Sequence, residues 1–243
     1  MYWQNKFNKA ITFSFDDGVA QDIRFIEILN KYGLKSTFNL NSGLLGKKGI
    51  VNVKPNGELK QVSHNKVFAE DIKKIYAGHE VAGHTLCHPN LLEQDDSCII
   101  WQVEEDRKIL SKLCGYEVVG MAYPCGGNCF DDRVSNTIKE NTGIKYSRTT
   151  NSTFNFNLQE NLLQFNPSVH SGKKEQLFEL AEKFINLKNP TEPQLFYIWG
   201  HTYEFDYANG GVGWQEIEEF CKLVSGKEDI YYCTNKQAFK IEE

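Results

Sequence analysis

The chain has 243 residues, 40% of them hydrophobic and 13% aromatic, which is enough to build one sizeable core in a single domain. A formal net charge of −5, with both signs interspersed along the chain, excludes a binder of nucleic-acid phosphates, which needs a basic surplus. No apolar stretch approaches the ~20 residues of a bilayer-spanning helix, so no membrane span is expected. The opening MYWQNKFNKAITFSFDDG has neither an apolar h-region nor a small-residue cleavage site, so no signal peptide is expected. The seven cysteines, at 87, 98, 114, 125, 129, 221 and 233, are scattered and odd in number. They read as those of a reduced, cytoplasmic protein rather than a disulfide framework, with secretion as the alternative if a leader has been trimmed.

Residues 10–15 alternate apolar and polar, with Ile11, Phe13 and Phe15 on one face, and predict a first strand. Ile23, Ile26 and Leu29 recur at helical spacing, and Gly33 supplies a stop. Residues 34–41 predict a second strand. Residues 42–66, which hold Gly43, Gly46, Gly49, Pro55 and Gly57, predict the longest loop. A short helix over 67–77 leads to a strand over 80–85. A helix over 97–113, with Ile99, Val103, Leu110 and Leu113 on one face, is capped by Gly115. A strand over 118–124, a helix over 131–142 and a strand over 144–150 follow, with a further strand at 162–170. The helix at 174–188 turns Leu177, Ala181, Phe184 and Ile185 inward. The apolar run 194–201 suits a buried parallel strand, and a helix at 214–226 and a strand at 230–235 close the chain.

Strands separated by helices imply parallel pairing through right-handed crossovers. The predicted fold is therefore a single-domain α/β protein over 1–243, a distorted parallel (β/α) barrel of about seven strands, with a doubly wound open sheet as the alternative. In such a barrel, polar groups at the C-terminal strand ends converge on one cavity. Here these ends carry Asp16-Asp17-Gly18, His84 and His88 followed by Pro89, Tyr123-Pro124-Cys125, and Gly200-His201. Taken singly, each has an ordinary reading as a turn, a capping feature or a core histidine; their joint placement is what points to a site. Adjacent carboxylates on a strand point to opposite sides, so the two aspartates can do different jobs. Two imidazoles and one carboxylate make a mixed N/O site with open positions, suited to Zn²⁺ or another divalent transition metal. A second carboxylate beside it is placed to take a proton from an activated water.

FSFDDG (13–18), GHEVAGHTLCHPNL (78–91), MAYPCG (121–126) and WGH (199–201), in this order and spacing, resemble the motifs of the polysaccharide deacetylase (NodB homology) family, over roughly residues 10–235. The resemblance implies a distorted barrel and a metal-dependent hydrolase that removes acetyl groups from an acetylated sugar or oligosaccharide. It implies Asp17, His84 and His88 as ligands of a divalent metal, Zn²⁺ first, with Co²⁺, Mn²⁺, Ni²⁺ or Fe²⁺ as alternatives. It further implies Asp16 as general base, His201 as general acid, and Tyr123, Pro124 and Cys125 at the substrate, with the Cys125 N–H helping to hold the oxyanion. The sequence departs from the family at two points of the third motif. MAYPCG lacks the arginine that usually pairs with the catalytic aspartate, and Cys125 stands where tyrosine is usual. Arg148, on the next predicted strand, can replace that arginine if it points into the barrel as period 2 permits; the alternative is an ordinary salt bridge on the barrel rim. The alternatives are an O-acetyl esterase or a hydrolase of a non-sugar amide, a catalytically inactive carbohydrate-binding domain, and a structural zinc site closed by His84, His88, Cys125 and Cys129.

Overall fold

The structure is a computed structural model that describes residues 2–241. Its elements in chain order are β1 (Lys9–Asp16), α1 (Asp22–Lys31), β2 (Ser36–Leu40), β3 (Ile50–Val53), β4 (Lys60–Ser63), α2 (Ile72–Ile75), β5 (Glu80–Gly83), α3 (Asp96–Cys114) and β6 (Gly120–Ala122). Then come α4 (Asp132–Asn141), β7 (Tyr146–Arg148), β8 (Val169–His170), α5 (Lys174–Asn186), β9 (Gln194–His201), α6 (Trp214–Val224), β10 (Tyr231–Tyr232) and α7 (Asn235–Ala238). The longest helix, α3, starts where Asp95 accepts from the Cys98 N–H at 2.8 Å and ends at Gly115, whose φ of 80° is the left-handed stop. No helix among the described residues is long and apolar enough to cross a membrane.

The main sheet runs β7-β6-β5-β2-β1-β9-β8, with every pairing parallel. β1 pairs with β9 along its whole length, and its other edge is shared between β10 at Ala10–Ile11 and β2 at Phe13–Asp16. The predicted strand at 162–170 splits in two around Pro167. Phe165 bridges to Arg148 of β7, while β8 pairs with β9, so this segment carries the sheet round from its first strand to its last. The predicted loop at 42–66 contains a two-stranded antiparallel ribbon, β3–β4, in register from Ile50↔Ser63 to Val53↔Lys60. Asn56-Gly57 between two alternating runs is a hairpin signal, which the glycine and proline content of the stretch obscures.

Period 2 sorts β1 cleanly. Ile11, Phe13 and Phe15 pack outward into the apolar layer with Phe25 and Leu29 of α1, Leu177 and Phe184 of α5, and Phe220 of α6. Thr12 and Ser14 join a polar network instead: Thr12 Oγ1 lies 2.9 Å from Asn235 Oδ1, and Asn39 Nδ2 donates to Ser14 Oγ at 2.9 Å. Glu80, at the start of β5, accepts from Thr37 Oγ1 and Tyr146 Oη, both at 2.8 Å, and belongs to the same interior. The barrel interior is thus hydrogen-bonded rather than apolar, and Asp16, in phase with Thr12 and Ser14, stands at its C-terminal end.

Candidate active site

β1 delivers Asp16 and the chain turns at once. Asp17 has φ 82° and Gly18 φ 59°, and a Cβ added to Gly18 would meet Leu40 Cγ at 2.8 Å. Glycine answers both demands of that turn. The two carboxylates go to separate partners. Asp16 accepts from Asn39 Nδ2 through Oδ1 at 2.7 Å and from Arg148 Nη2 through Oδ2. Asp17 lies against His64 Nε2 through Oδ2 and Lys66 Nζ through Oδ1, each at 3.1 Å. Burial works to raise both acids. At Asp16 it is overcome by the charges of Arg148, His84 and His201, so the pKa is lowered. At Asp17 the His64 hydrogen bond and the Lys66 charge overcome it, and its pKa falls well below the usual range.

His84 follows β5 directly. Its N–H lies 2.8 Å from Leu40 O and 3.0 Å from Asp106 Oδ2. Its Nδ1 lies 2.9 Å from the Ala122 carbonyl, which can only accept, so the proton sits on Nδ1 and Nε2 keeps a lone pair. Burial takes its pKa down to about 4, which leaves a neutral imidazole at pH 7. Between the two histidines the chain coils rather than running straight. Thr85 has φ 65°, His88 has φ 61°, and the His88 N–H donates to Thr85 Oγ1 at 3.1 Å. The two rings end with centroids 4.8 Å apart.

One donor atom each from Asp17, His84 and His88 lies within 4.8 Å of the others. A neutral imidazole with a free Nε2, a second imidazole lowered in pKa by burial and an ionised carboxylate are the donor chemistry that a borderline divalent ion takes. These residues therefore fit a metal. The structural zinc alternative needs two thiolates. Cys125 Sγ stands 3.8 Å from His88 Nδ1, but Cys129 is buried in the apolar cluster with Tyr123 and Val134, and no cysteine joins the grouped donors among the described residues.

His201 ends β9. Its Nε2 is 3.9 Å from Asp16 Oδ2, and its Nδ1 is 3.6 Å from Glu204 Oε1. Burial would lower the His201 pKa, but the Glu204 carboxylate outweighs it and lifts it to about 9. Glu204 Oε2 is in turn 3.3 Å from His170 Nε2. His170 Nδ1 accepts from the Gly172 N–H at 3.0 Å, so Nε2 carries the proton of the neutral ring. Although His170, His201 and Glu204 are also close enough to hold an ion, that protonation leaves one ion pair, His201–Glu204, with the neutral His170 ring turning its N–H toward the same carboxylate.

Arg148 is fully buried. Its Nη1 donates to Thr149 O at 2.9 Å, and its guanidinium carbon lies 4.4 Å from the Trp199 ring centroid. In the sheet, β6, β5 and β2 separate β7 from β1, so the arginine reaches Asp16 through the barrel interior. The sequence expectation at Tyr123 needs correcting. Its ring is fully buried against Phe130 and its hydroxyl donates to Leu163 O at 2.8 Å, so the phenol belongs to the core. Pro124 is also buried, and Cys125, half-buried, has φ 68°.

Asp17, Thr85, His88 and Cys125 are thus four non-glycine residues in the left-handed region at one strand-end cluster. Each such residue costs on the order of 1–3 kcal/mol, and such strain gathers where a site needs its groups aimed. Sequence reasoning missed Asn39, His64, Lys66, Asp106, Glu204 and His170. Asn39 and His170, at or near the ends of predicted strands, carried a usable signal; the others are set by pairings that no local pattern records.

The fold and the site define a class: a parallel α/β barrel with a carboxylate–imidazole cluster at the C-terminal ends of its strands. The chain belongs to the polysaccharide deacetylase family, whose sequence model matches residues 4–147. That match holds Asp16, Asp17, His84, His88 and Cys125, while Arg148 and His201 lie beyond it. No curated protein matches. Among solved structures, the Xyl-CE4 domain of a multidomain xylanase from the hindgut metagenome of Trinervitermes trinervoides is similar at 17% identity and a TM-score of 0.57, over 96% of this chain and 90% of that one. The peptidoglycan deacetylase PdaC from Bacillus subtilis is similar at 16% identity and 0.55, over 97% and 91%. BA3943 from Bacillus anthracis, described as a family pseudoenzyme, is similar at 13% identity and 0.53, over 94% and 64%. The chain likewise spans 61% of the Streptococcus pyogenes deacetylase PplD. Identities this low show the fold alone.

Proposed function

We propose that the protein is a metal-dependent hydrolase that removes N-acetyl groups from an acetylated sugar or oligosaccharide, with Asp17, His84 and His88 holding a divalent ion, Zn²⁺ first. The observation that carries this reading is the position of Asp16. Its Oδ2 lies 4.0 Å from His84 Nε2, in the ligand set, and 3.9 Å from His201 Nε2 on the other side. A base standing between a cation site and an acid is what hydrolysis of an unactivated amide requires, and binding alone has no use for it. When bound, the ion supplies Lewis-acid polarisation of the acetyl carbonyl and lowers the pKa of water.

The residues of the chain do the rest. Asp16, ionised and aimed by Arg148 and Asn39, accepts a proton from the attacking water. His201, charged at neutral pH because of Glu204, gives its Nε2 proton to the leaving amine. The Cys125 N–H, in the strained turn beside His88, donates to the developing oxyanion. Tyr203, half-buried with its ring 5.3 Å from His201, offers aromatic surface near the acid.

The test is acetate release across a panel of N-acetylated sugars and oligosaccharides, O-acetylated sugars and a non-sugar acetamide. The reading predicts highest turnover on an N-acetylated carbohydrate. Preference for the O-acetyl ester or the non-sugar amide would move the substrate class, and no release from any of them would leave a binding domain.

A further inference from the structure

Each aspartate of the pair has its own cation: Arg148 for Asp16 and Lys66 for Asp17. Lys66 is not a surface lysine that happens to lie nearby. It follows β4 and is buried, and its stretch is bonded to the turn after Asp17. The Val67 N–H donates to Gly18 O at 3.0 Å, the Ala20 N–H to Asn65 O at 2.8 Å, and Val19 pairs with Lys66 in an antiparallel bridge. The Lys66 N–H itself donates to Lys47 O at 2.9 Å. With its backbone fixed, Nζ donates to Asp17 O at 2.7 Å and Oδ1 at 3.1 Å. Oδ1 is also the oxygen 4.0 Å from His88 Nε2, on the ligand side, whereas Oδ2 is taken by His64.

We propose that Lys66 is a built-in competitor of the cation, whose ammonium charge lowers the affinity of the Asp17–His84–His88 centre for a divalent ion. This rests on the metal-centre reading above. An ion bound at roughly 2.1 Å from Oδ1 would lie within about 5 Å of Nζ. The two aspartates, Arg148 and Lys66 sum to zero formal charge, so the pair presents no net negative charge to a dication. Affinity must come from the ligand atoms themselves, against the ammonium. The lysine keeps Asp17 aimed while weakening its hold on the ion, which makes the centre exchangeable.

The test is calorimetric titration of the metal-stripped full chain with Zn²⁺ and with Co²⁺. Lys66→Met should bind each ion at least about tenfold more tightly than wild type, and Lys66→Arg, which keeps the charge, should stay within about threefold of it. Lys66→Gln, which removes the charge but can still donate to the Asp17 carbonyl, should tighten as Lys66→Met does, and it serves if the methionine variant does not fold. Neutral variants that bind no tighter than wild type, or more weakly, overturn the proposal and leave Lys66 as an organiser of the turn. A different result, a wild-type isotherm that Asp17→Ala and His84→Ala leave unchanged, would remove the metal centre itself and the inference with it.

Discussion

Arg148 on β7 donates through Nη2 to Oδ2 of Asp16 on β1, across three intervening strands of the sheet and through the barrel interior. The pair ties the position of the proposed base to a guanidinium that is itself held between the Thr149 carbonyl and the Trp199 ring. Removing Arg148 leaves a buried carboxylate with burial as its dominant influence. Arg148→Ala should cost about 3–5 kcal/mol of stability. It should also move the acid limb of the pH–rate profile upward, because Asp16 would be protonated at a pH where the wild type keeps it ionised, while metal content by elemental analysis stays at the wild-type level. Because the folded Asp16 pKa is lowered, the pair's stabilisation is present above the ordinary carboxylate pKa of 3.8 and is lost as pH falls through the folded value. Thermal melts of wild type and variant should draw together as pH falls below 3.8.

The two aspartates should separate under mutation. Asp16→Asn should keep its metal and lose roughly 10²–10⁴-fold in rate, the usual worth of a positioned base. His84→Ala should lose metal and activity together, since its free Nε2 is gone. Elemental analysis beside turnover reads both. An empty site in Asp16→Asn would mean that the aspartates have been given each other's roles.

His201 titrates high because of Glu204, up to about 9. The alkaline limb of the rate profile should therefore lie above the ordinary histidine value of 6.5, at the pH where the acid loses its proton. Glu204→Gln should bring that limb down by at least about one pH unit, leaving turnover at pH 6 much less affected. The sign for stability follows: the raised pKa gives stabilisation that is complete below the ordinary histidine value of 6.5 and lost as pH rises through about 9. An alkaline limb that stays in place in Glu204→Gln would assign it to another group.

Leaving-group dependence tests the same residue by another route. His201→Ala should slow an N-acetyl amide by at least about tenfold more than an activated acetate ester, whose leaving group departs without protonation. Equal losses on both substrates would remove His201 from the acid role.

Much of this arrangement was legible in the chain because its signals are local. β1 shows itself through apolar–polar alternation and β9 through an apolar run, and each ends in site residues, Asp16-Asp17 and His201. The parallel barrel follows from the alternation of such strands with amphipathic helices. Arg148 was reachable from period 2 on a three-residue strand, because the neighbouring turn lacked a charge that a buried carboxylate needs. His64 and Lys66 were not reachable. They lie beyond a hairpin that reads as loop, and only the antiparallel bridge of Val19 to Lys66 carries them to Asp17. Glu204 sits in a short turn after β9 and is indistinguishable in sequence from a surface acid; what sets it apart is its approach to His201, with His170 of β8 at its other oxygen. Tyr123 failed for the opposite reason. The family resemblance put this motif position at the substrate, yet the side chain alternates into the core against Phe130.

The central claim is metal-dependent deacetylation at the Asp17–His84–His88 centre. The most direct measurement is acetate released from an N-acetylated oligosaccharide by the purified chain, first as isolated, then after chelation, then after reloading with Zn²⁺ or Co²⁺, with Asp17→Ala carried through the same cycle. The account predicts release that chelation abolishes and reloading restores, and none at any stage from Asp17→Ala. Release that survives chelation, or that persists in the variant, would contradict it.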